Sequence, residues 1–270
     1  MNCLKLCLSS FAYIRYPIET AIDRTANLGY DAIEIVANRP HMLPEDYDNS
    51  QKKKILAQTK SLGLKVPAIT SFNGTAQWHF THPNPRVRSA TVRHVKECVD
   101  LAVDLEAQFV EIVTGIPMIE GTKESDQWSW LKAELEDCAD YAKSHKKIIG
   151  LEPEPGNLIS TSDAADKMMQ EINSPSLQLL LDIGHLHVVK EDVPKAVLKM
   201  KDKIVHVHIH DNDSTRDAHL IPGEGNIDFK AIIKALQQVN YTGYLSAELE
   251  QGEGDSSATR TKEYLQGLLN

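Results

Sequence analysis

Short apolar runs of strand length alternate with amphipathic stretches along the whole chain. The runs begin at Leu4 (LKLCLS), Asp31 (DAIEIV), Lys65 (KVPAIT) and Gln108 (QFVEIV), and continue at Lys147 (KIIGLE), Leu177 (LQLLLD), Ile204 (IVHVHI) and Tyr244 (YLSAEL). Between them, stretches such as IETAIDRTANLG, VRHVKECVDLAVDLEA, WLKAELEDCADYAKSH and DFKAIIKALQQVN carry apolar residues at helical spacing, and several end in Gly or Asn, where helices stop. Eight strands, each followed by a helix and the last by TKEYLQGLLN, predict an α/β protein built as a closed parallel (β/α)8 barrel of the TIM type. An open doubly wound sheet is the rival. It is weakened because SSFAYIRY, after the first strand, is nothing like a glycine-rich phosphate loop. No linker, charge block or low-complexity segment breaks the alternation, so residues 1–270 read as one domain.

The seventh run, VHVHIHDND from Val205 to Asp213, departs from an ordinary strand. A strand sends alternate side chains to opposite faces. Side chains facing the helices of a barrel must be apolar, so Val205, Val207 and Ile209 are expected outward and His206, His208 and His210 toward the axis. At the rise of a strand, His206 and His210 lie about 13 Å apart, so the three imidazoles cannot serve one ion, although one or two can.

Composition narrows the setting. Apolar content of 41% and charged content of 25% over 270 residues describe a soluble globular chain with a sizeable core. A formal net charge of −9 argues against a role in neutralising nucleic-acid phosphates. No run reaches membrane-spanning length, and MNCLKLCLSS reads as the start of a mature protein. Cys3, Cys7, Cys98 and Cys138 form no C-x-x-C pair and sit inside predicted elements, as reduced thiols of a cytoplasmic protein would. A homo-oligomer is compatible with all of this.

Active sites of such barrels lie at the carboxyl ends of the strands. There strand five offers Glu152 and Glu154, strand six Asp182, His185 and His187, strand seven His208 and strand eight Glu248. Four consecutive strands, about 4.8 Å apart, thus present an arc of oxygen and nitrogen donors. Carboxylates so placed repel unless a cation holds them, and the mixed set suits Mn²⁺, Co²⁺ or Mg²⁺ better than a closed thiolate zinc site. The bland alternative, separate ion pairs to Lys or Arg, lacks cations at these strand ends.

With LEPEPG, LDIGH, VHVHIHDND, LIPGEGNIDF and GYLSAELE, the chain resembles the xylose isomerase-like barrel superfamily, over all eight strand–helix units. That superfamily includes tagatose and psicose 3-epimerases, inosose isomerases, hydroxypyruvate isomerases and the endonuclease IV branch. The resemblance implies one divalent metal held by Glu152, Asp182, His208 and Glu248; ligand hardness makes manganese the preferred ion, with cobalt, magnesium or zinc as alternatives. The resemblance also implies that His185 touches substrate oxygens. A ketose bound to the metal through its carbonyl and a neighbouring hydroxyl has its adjacent C–H acidified. One carboxylate removes that proton to leave an enediolate, and a second returns it to the other face; Glu152 and Glu248 are the expected acid/base pair. Return to the neighbouring carbon on the same face gives isomerisation, and the residues do not choose between these outcomes.

Three rivals stand beside a sugar isomerase or epimerase. A lyase or dehydratase follows if a leaving group sits next to the enediolate. An endonuclease IV-like nuclease is suggested by Asp217-Ala218-His219, whose spacing matches two ligands of its three-metal centre, but TSFNG and TGIP lack that centre's earlier histidines. A non-catalytic binding barrel would need no metal arc. Glu154 is expected to point into the substrate space, and His219 either contacts substrate or braces its loop. Glu34 and Glu111 alternate with apolar residues and point inward, to line a pocket or to meet a lysine or backbone partner. His41, His79 and His82 are expected as surface or lid residues, Trp78, His79 and Phe80 as a lid or as a loop packed on its own barrel, His206 as barrel interior and Arg86 as a helix start. The loops after strands seven and eight carry Asp211, Asp213, Asp217, Glu224, Glu250, Glu253 and Asp255 against Arg216 and the glycines of PGEGN. That balance disfavours a phosphate and points to an unphosphorylated ketose, inosose or keto-glycoside, with Arg216 as the fallback anion contact.

Overall fold

In a computed structural model, residues 4–73, 77–115, 121–249 and 254–269 are described. Eight parallel strands close in sequence order. They are β1 (Lys5–Ser9), β2 (Ala32–Val36), β3 (Ala68–Thr70), β4 (Phe109–Ile112), β5 (Ile148–Leu151), β6 (Leu177–Asp182), β7 (Ile204–Ile209) and β8 (Tyr244–Ala247). The ring closes where Lys5–Leu8 of β1 pair with Tyr244–Ala247 of β8. β3 is shorter than KVPAIT because Pro67 has no N–H to donate, leaving Lys65 only an isolated bridge to Ala32. No described helix is long and apolar enough to cross a membrane.

The outward strand residues, such as Leu8, Ile33, Ile149, Leu179 and Val207, are buried in one core with the apolar faces of the surrounding helices. Residues of α3 (Pro85–Asp104) and α4 (Glu124–Ser144), including Val95, Cys98, Leu135 and Cys138, fill that layer, and these thiols are free and buried. Arg86 lies in the first turn of α3, behind the Asn84 cap. β6 is followed by two helices rather than one, the six-residue α6 (Ile183–Val188) and α7 (Val193–Met200).

The expected alternation along β7 fails at one place. The register between β6 and β7 shifts at Leu179/Leu180, so Leu179 pairs with Ile204 but Leu180 with His206. The extra residue, Val205, packs with Ala68, Phe109 and Leu180 instead of facing the helices. A bulge re-aims side chains in this way. Val207 and Ile209 do join the outer core, while His206, His208 and His210 are buried elsewhere, His206 with its ring 4.7 Å from that of Phe109.

The loop after β7 is organised by one carboxylate. Asp211 is fully buried and accepts the backbone N–H groups of Asn212, Gly223, Gly225 and Ile227. Gly225 must be glycine, since a Cβ there would lie 2.3 Å from both the Asn212 carbonyl oxygen and an Asp211 carboxylate oxygen. Asp211→Ala leaves these donors unpaired and should cost about 3 kcal/mol, lowering the thermal midpoint by roughly 6 °C or more. Calorimetry checks this, and an unchanged midpoint would show that the loop is held by other means.

Candidate functional site

Strand β6 sets the first fixed point. Asp182 ends it and caps α6, its Oδ1 accepting the backbone N–H of His185 at 2.7 Å. Its other oxygen, Oδ2, is buried with no hydrogen-bond partner and faces His208 Nδ1 at 3.8 Å. His208 Nδ1 also lies 3.1 Å from Glu152 Oε1 and 3.3 Å from Glu248 Oε2. Glu152, Asp182, His208 and Glu248 therefore converge, each offering a ligand atom within 4.8 Å of the others. Three carboxylates and an imidazole with an orphaned buried oxygen fit a hard divalent cation with positions left open. Among the described residues no Lys or Arg pairs with this set, so the bland reading of separate Lys or Arg ion pairs does not describe it.

The other face of His208 explains how its ring is aimed. Nε2 bonds both oxygens of Glu34, at 2.9 and 3.1 Å. Glu34 is fully buried and also receives Thr70 Oγ1, Ser246 Oγ and His206 Nε2. Of the two partners considered for Glu34, neither lysine nor backbone applies: imidazoles and hydroxyls hold it. Burial opposes its charge, yet His208 and His206 keep its carboxyl well below the usual range. Burial likewise opposes charge on Asp182, but His185 and His210 hold it low, whereas burial prevails at Glu152 and raises it. Burial would lower His208, but Glu34, Glu152 and Glu248 raise it well above an ordinary imidazole.

A second cluster adjoins the first. His185, His210, Asp217 and His219 also gather within 4.8 Å. Asp217 Oδ2 lies 3.2 Å from His185 Nε2 and 3.1 Å from His219 Nε2, while the rings of His210 and His219 stack with centroids 3.9 Å apart. The remaining nitrogen of His185 meets the Pro153 carbonyl, and that of His219 meets the Glu248 carbonyl. The three histidines of β7 thus divide among three groups: His206 with Glu34, His208 in the acid set and His210 beside Asp217.

Both clusters open onto a cavity of about 260 Å³ at the carboxyl ends of the strands, a volume for a small molecule. Glu152, Glu154, His185, His219 and Glu248 line one side, and Phe11, Phe72 and Val113 another, with Glu111 between. Glu154 bonds Asn157, and burial, the strongest influence on it, pushes its carboxyl up to about 7. Burial and nearby Glu152 raise Glu111 well above the usual range. The aromatic wall was missed in the sequence. Phe11 follows β1 in the short turn Ser10–Tyr13, and Phe72 takes a positive φ of 51° that brings the rings within 5.9 Å. Only the aromatic content of SSFAYIRY and TSFNG hinted at it.

Other expected site residues fall elsewhere. Arg216 is exposed and does not line the cavity, since its loop turns outward beyond Asp213. His187 bonds Asn226 outside the cavity. His41 is not a surface residue: it is buried against Ser10 Oγ and the Tyr13 carbonyl. His79 is also buried, bonded to Thr81. Trp78 stacks on His94 at 3.8 Å and Phe80 is fully buried, so this loop packs on its own barrel instead of lidding the cavity. Cys3, Glu250 and Glu253 lie outside the described residues.

The Asp217 cluster carries a pH signature. Burial opposes charge on His219, but the Asp217 hydrogen bond and Glu248 lift it from 6.5 to about 9. Because the folded value lies above the unfolded one, the stabilisation is fully present below pH 6.5 and is lost as pH rises through about 9. In metal-free protein the thermal midpoint should fall across that window, and Asp217→Asn should flatten the fall. Parallel curves for the two proteins would show that this pair contributes nothing to the slope.

Comparison with known proteins agrees with this architecture. The family model described as xylose isomerase-like TIM barrel matches residues 22–269. Fructoselysine 3-epimerase of Shigella flexneri is 26% identical over 249 residues, spanning 91% of this chain and 90% of that protein. Inosose dehydratase of Lacticaseibacillus casei is 29% identical over 166 residues, spanning 54% of this chain and 56% of that protein. A solved structure of a D-tagatose 3-epimerase-like protein superposes with a TM-score of 0.87 at 26% identity, covering 98% of this chain and 97% of that one. A family match over residues 22–269 takes in seven of the eight strands, all but β1, and the chain belongs to the xylose isomerase-like TIM barrel family.

Proposed function

We propose that this protein is a divalent-metal-dependent sugar epimerase or isomerase acting on an unphosphorylated ketose, inosose or keto-glycoside. The observation that carries the reading is the unpartnered, buried Oδ2 of Asp182, set among Glu152, His208 and Glu248 beside the cavity. These four residues would hold the ion, manganese by preference because the set is rich in hard carboxylate oxygens. When bound, such a cation polarises a carbonyl oxygen and acidifies the C–H beside it. The 3-epimerase relatives support the same chemistry.

The protein's own groups then divide the work. Glu152 and Glu248 project from β5 and β8, strands separated by β6 and β7, so they approach a substrate in the cavity from the two ends of the acidic arc. One carboxylate takes the proton from carbon, and the other, in its protonated form, delivers one to the opposite face, which inverts the centre. The configuration of the carbon decides which acts first. Glu34 keeps the Nδ1 side of His208 turned to the acid set by accepting at Nε2, as an outer-shell carboxylate does for a ligating histidine. Phe11, Phe72 and Val113 keep water from the carbon being deprotonated.

The absence of phosphate from the substrate rests on Asp211. The amides of PGEGN would make an anion nest, but the Asp211 carboxylate already accepts those of Gly223 and Gly225. Arg216 is exposed and is not among the residues that line the cavity. Elimination is the second reading, favoured by the inosose dehydratase relative, and it needs only a leaving group beside the carbanion.

Two measurements test the proposal. Asp182→Asn preserves a cap for α6 while weakening the ligand set, so calorimetric titration should show Mn²⁺ affinity falling by more than the roughly 100-fold that outer-shell changes cost. Unchanged affinity would move the ion elsewhere. Wild type with Mn²⁺ in D₂O should place deuterium next to the carbonyl of at least one member of a panel of free ketoses, ketosamines, inososes and keto-glycosides, read by NMR. Glu152→Gln and Glu248→Gln should each abolish this. No incorporation with any of them would sink the enzyme reading, and a dehydrated product would select the second one.

A further inference from the structure

Among the described residues, the polar groups that line the cavity are, with one exception, already committed within the protein. The Thr70 hydroxyl donates to Glu34. Asn73 spans to β4, donating to the Val113 carbonyl and accepting the Val113 N–H. Both ring nitrogens of His185 and of His219 are engaged. Glu154 is held by Asn157, and Glu152 and Glu248 face His208. Glu111 differs: it is 3% exposed, its Oε2 is buried without a hydrogen bond, and no described residue bonds either of its oxygens.

The register shows why it stands alone. Across β4 its neighbours are Thr70 on β3, whose hydroxyl is taken by Glu34, and Gly150 on β5, which has no side chain to offer. Nor does Glu111 belong to the set of four that converges on His208. A buried carboxyl without a partner is costly, and a fold retains one where a ligand supplies the missing bond. We propose that Glu111 is a specificity-determining residue that hydrogen-bonds a hydroxyl of the sugar carbon chain, at a position away from the carbonyl end. This rests on the sugar-directed reading above and extends it. A polyol brings hydroxyls that both donate and accept, so it satisfies a carboxyl in either protonation state, whereas an apolar ligand satisfies neither.

The inference has an unusual signature, because stability and binding move in opposite directions. Glu111→Leu removes a strained group and should raise the thermal midpoint of the ligand-free protein by about 2 °C or more. Mn²⁺ affinity should stay within twofold of wild type. Affinity for the ketose turned over best should fall about tenfold, the equivalent of one hydrogen bond of about 1.4 kcal/mol. Glu111→Gln, which offers a carbonyl acceptor and an amide NH₂ donor, should lose less. In a series of deoxyketoses, the analogue lacking the contacted hydroxyl should bind wild type and Glu111→Leu equally well. Ketose affinity within twofold of wild type in Glu111→Leu, or Mn²⁺ affinity falling in step with it, would overturn the inference. A wild type that neither exchanges deuterium nor binds any sugar overturns this and the proposed function together. An active wild type with an indifferent Glu111→Leu overturns this alone.

Discussion

Everything at the mouth of this barrel depends on one imidazole standing between carboxylates. Glu34, Glu152 and Asp182 are at most 3% exposed, and Glu248 lies against the same group. So many acids in one water-poor site are tolerable only with opposite charge at hydrogen-bond distance. His208 supplies it on both sides, with Glu34 at one nitrogen and Glu152 and Glu248 at the other. His208 by itself cannot balance four carboxylates, even with His185 Nδ1 3.6 Å from Glu152. His206 is fully buried and burial holds its pKa down, and His185 and His210 serve Asp182 and Asp217. The remaining deficit of positive charge is what suits the convergent set to the cation of the proposed function.

Much of this could be read in the sequence because barrel geometry converts strand order into position. Once eight strands were recognised, Glu152, Asp182, His208 and Glu248 had to share one rim, and they do. The inward aim of Glu34 and Glu111 followed from period-two alternation within DAIEIV and QFVEIV. Alternation failed at Val205 because a bulge inserts a residue without marking it by type, and nothing in IVHVHI distinguishes a bulged valine from a regular one.

Loop contacts were less accessible for a different reason. Asp217 meets His185 across 32 residues and Glu34 meets His208 across 174, pairings set by tertiary approach and not by spacing. The same holds for His41 and His79, whose burial depends on which carbonyl or hydroxyl the loop carries to them. The acids of the β7 loop show how misleading composition is at this scale. Asp211 is spent on backbone amides, Asp213 on Thr215, Asp217 on histidines and Glu224 on Arg260. Counting them as a field that repels phosphate overlooks that each is already paired within the protein. What opposes an anion there is that its amide donors are already occupied.

The cavity is therefore polarised by construction. Its β5–β8 side carries the acids and imidazoles, and its β1, β3 and β4 side presents Phe11, Phe72 and Val113. A sugar entering it has one end suited to each side: oxygens for the charged rim, and C–H faces for the aromatic wall, where carbohydrate rings and chains lose hydration at little cost. Under the proposed sugar-directed function, that arrangement would fix which carbon meets Glu152 and Glu248, because turning the substrate round would press hydroxyls on phenyl rings and leave the rim unsatisfied. Glu111 shares the apolar side with Thr70 and Asn73, but among the described residues of that side it alone has no hydrogen-bond partner. On the inference drawn for Glu111, its position would let a wall that orients a sugar also count hydroxyls along it.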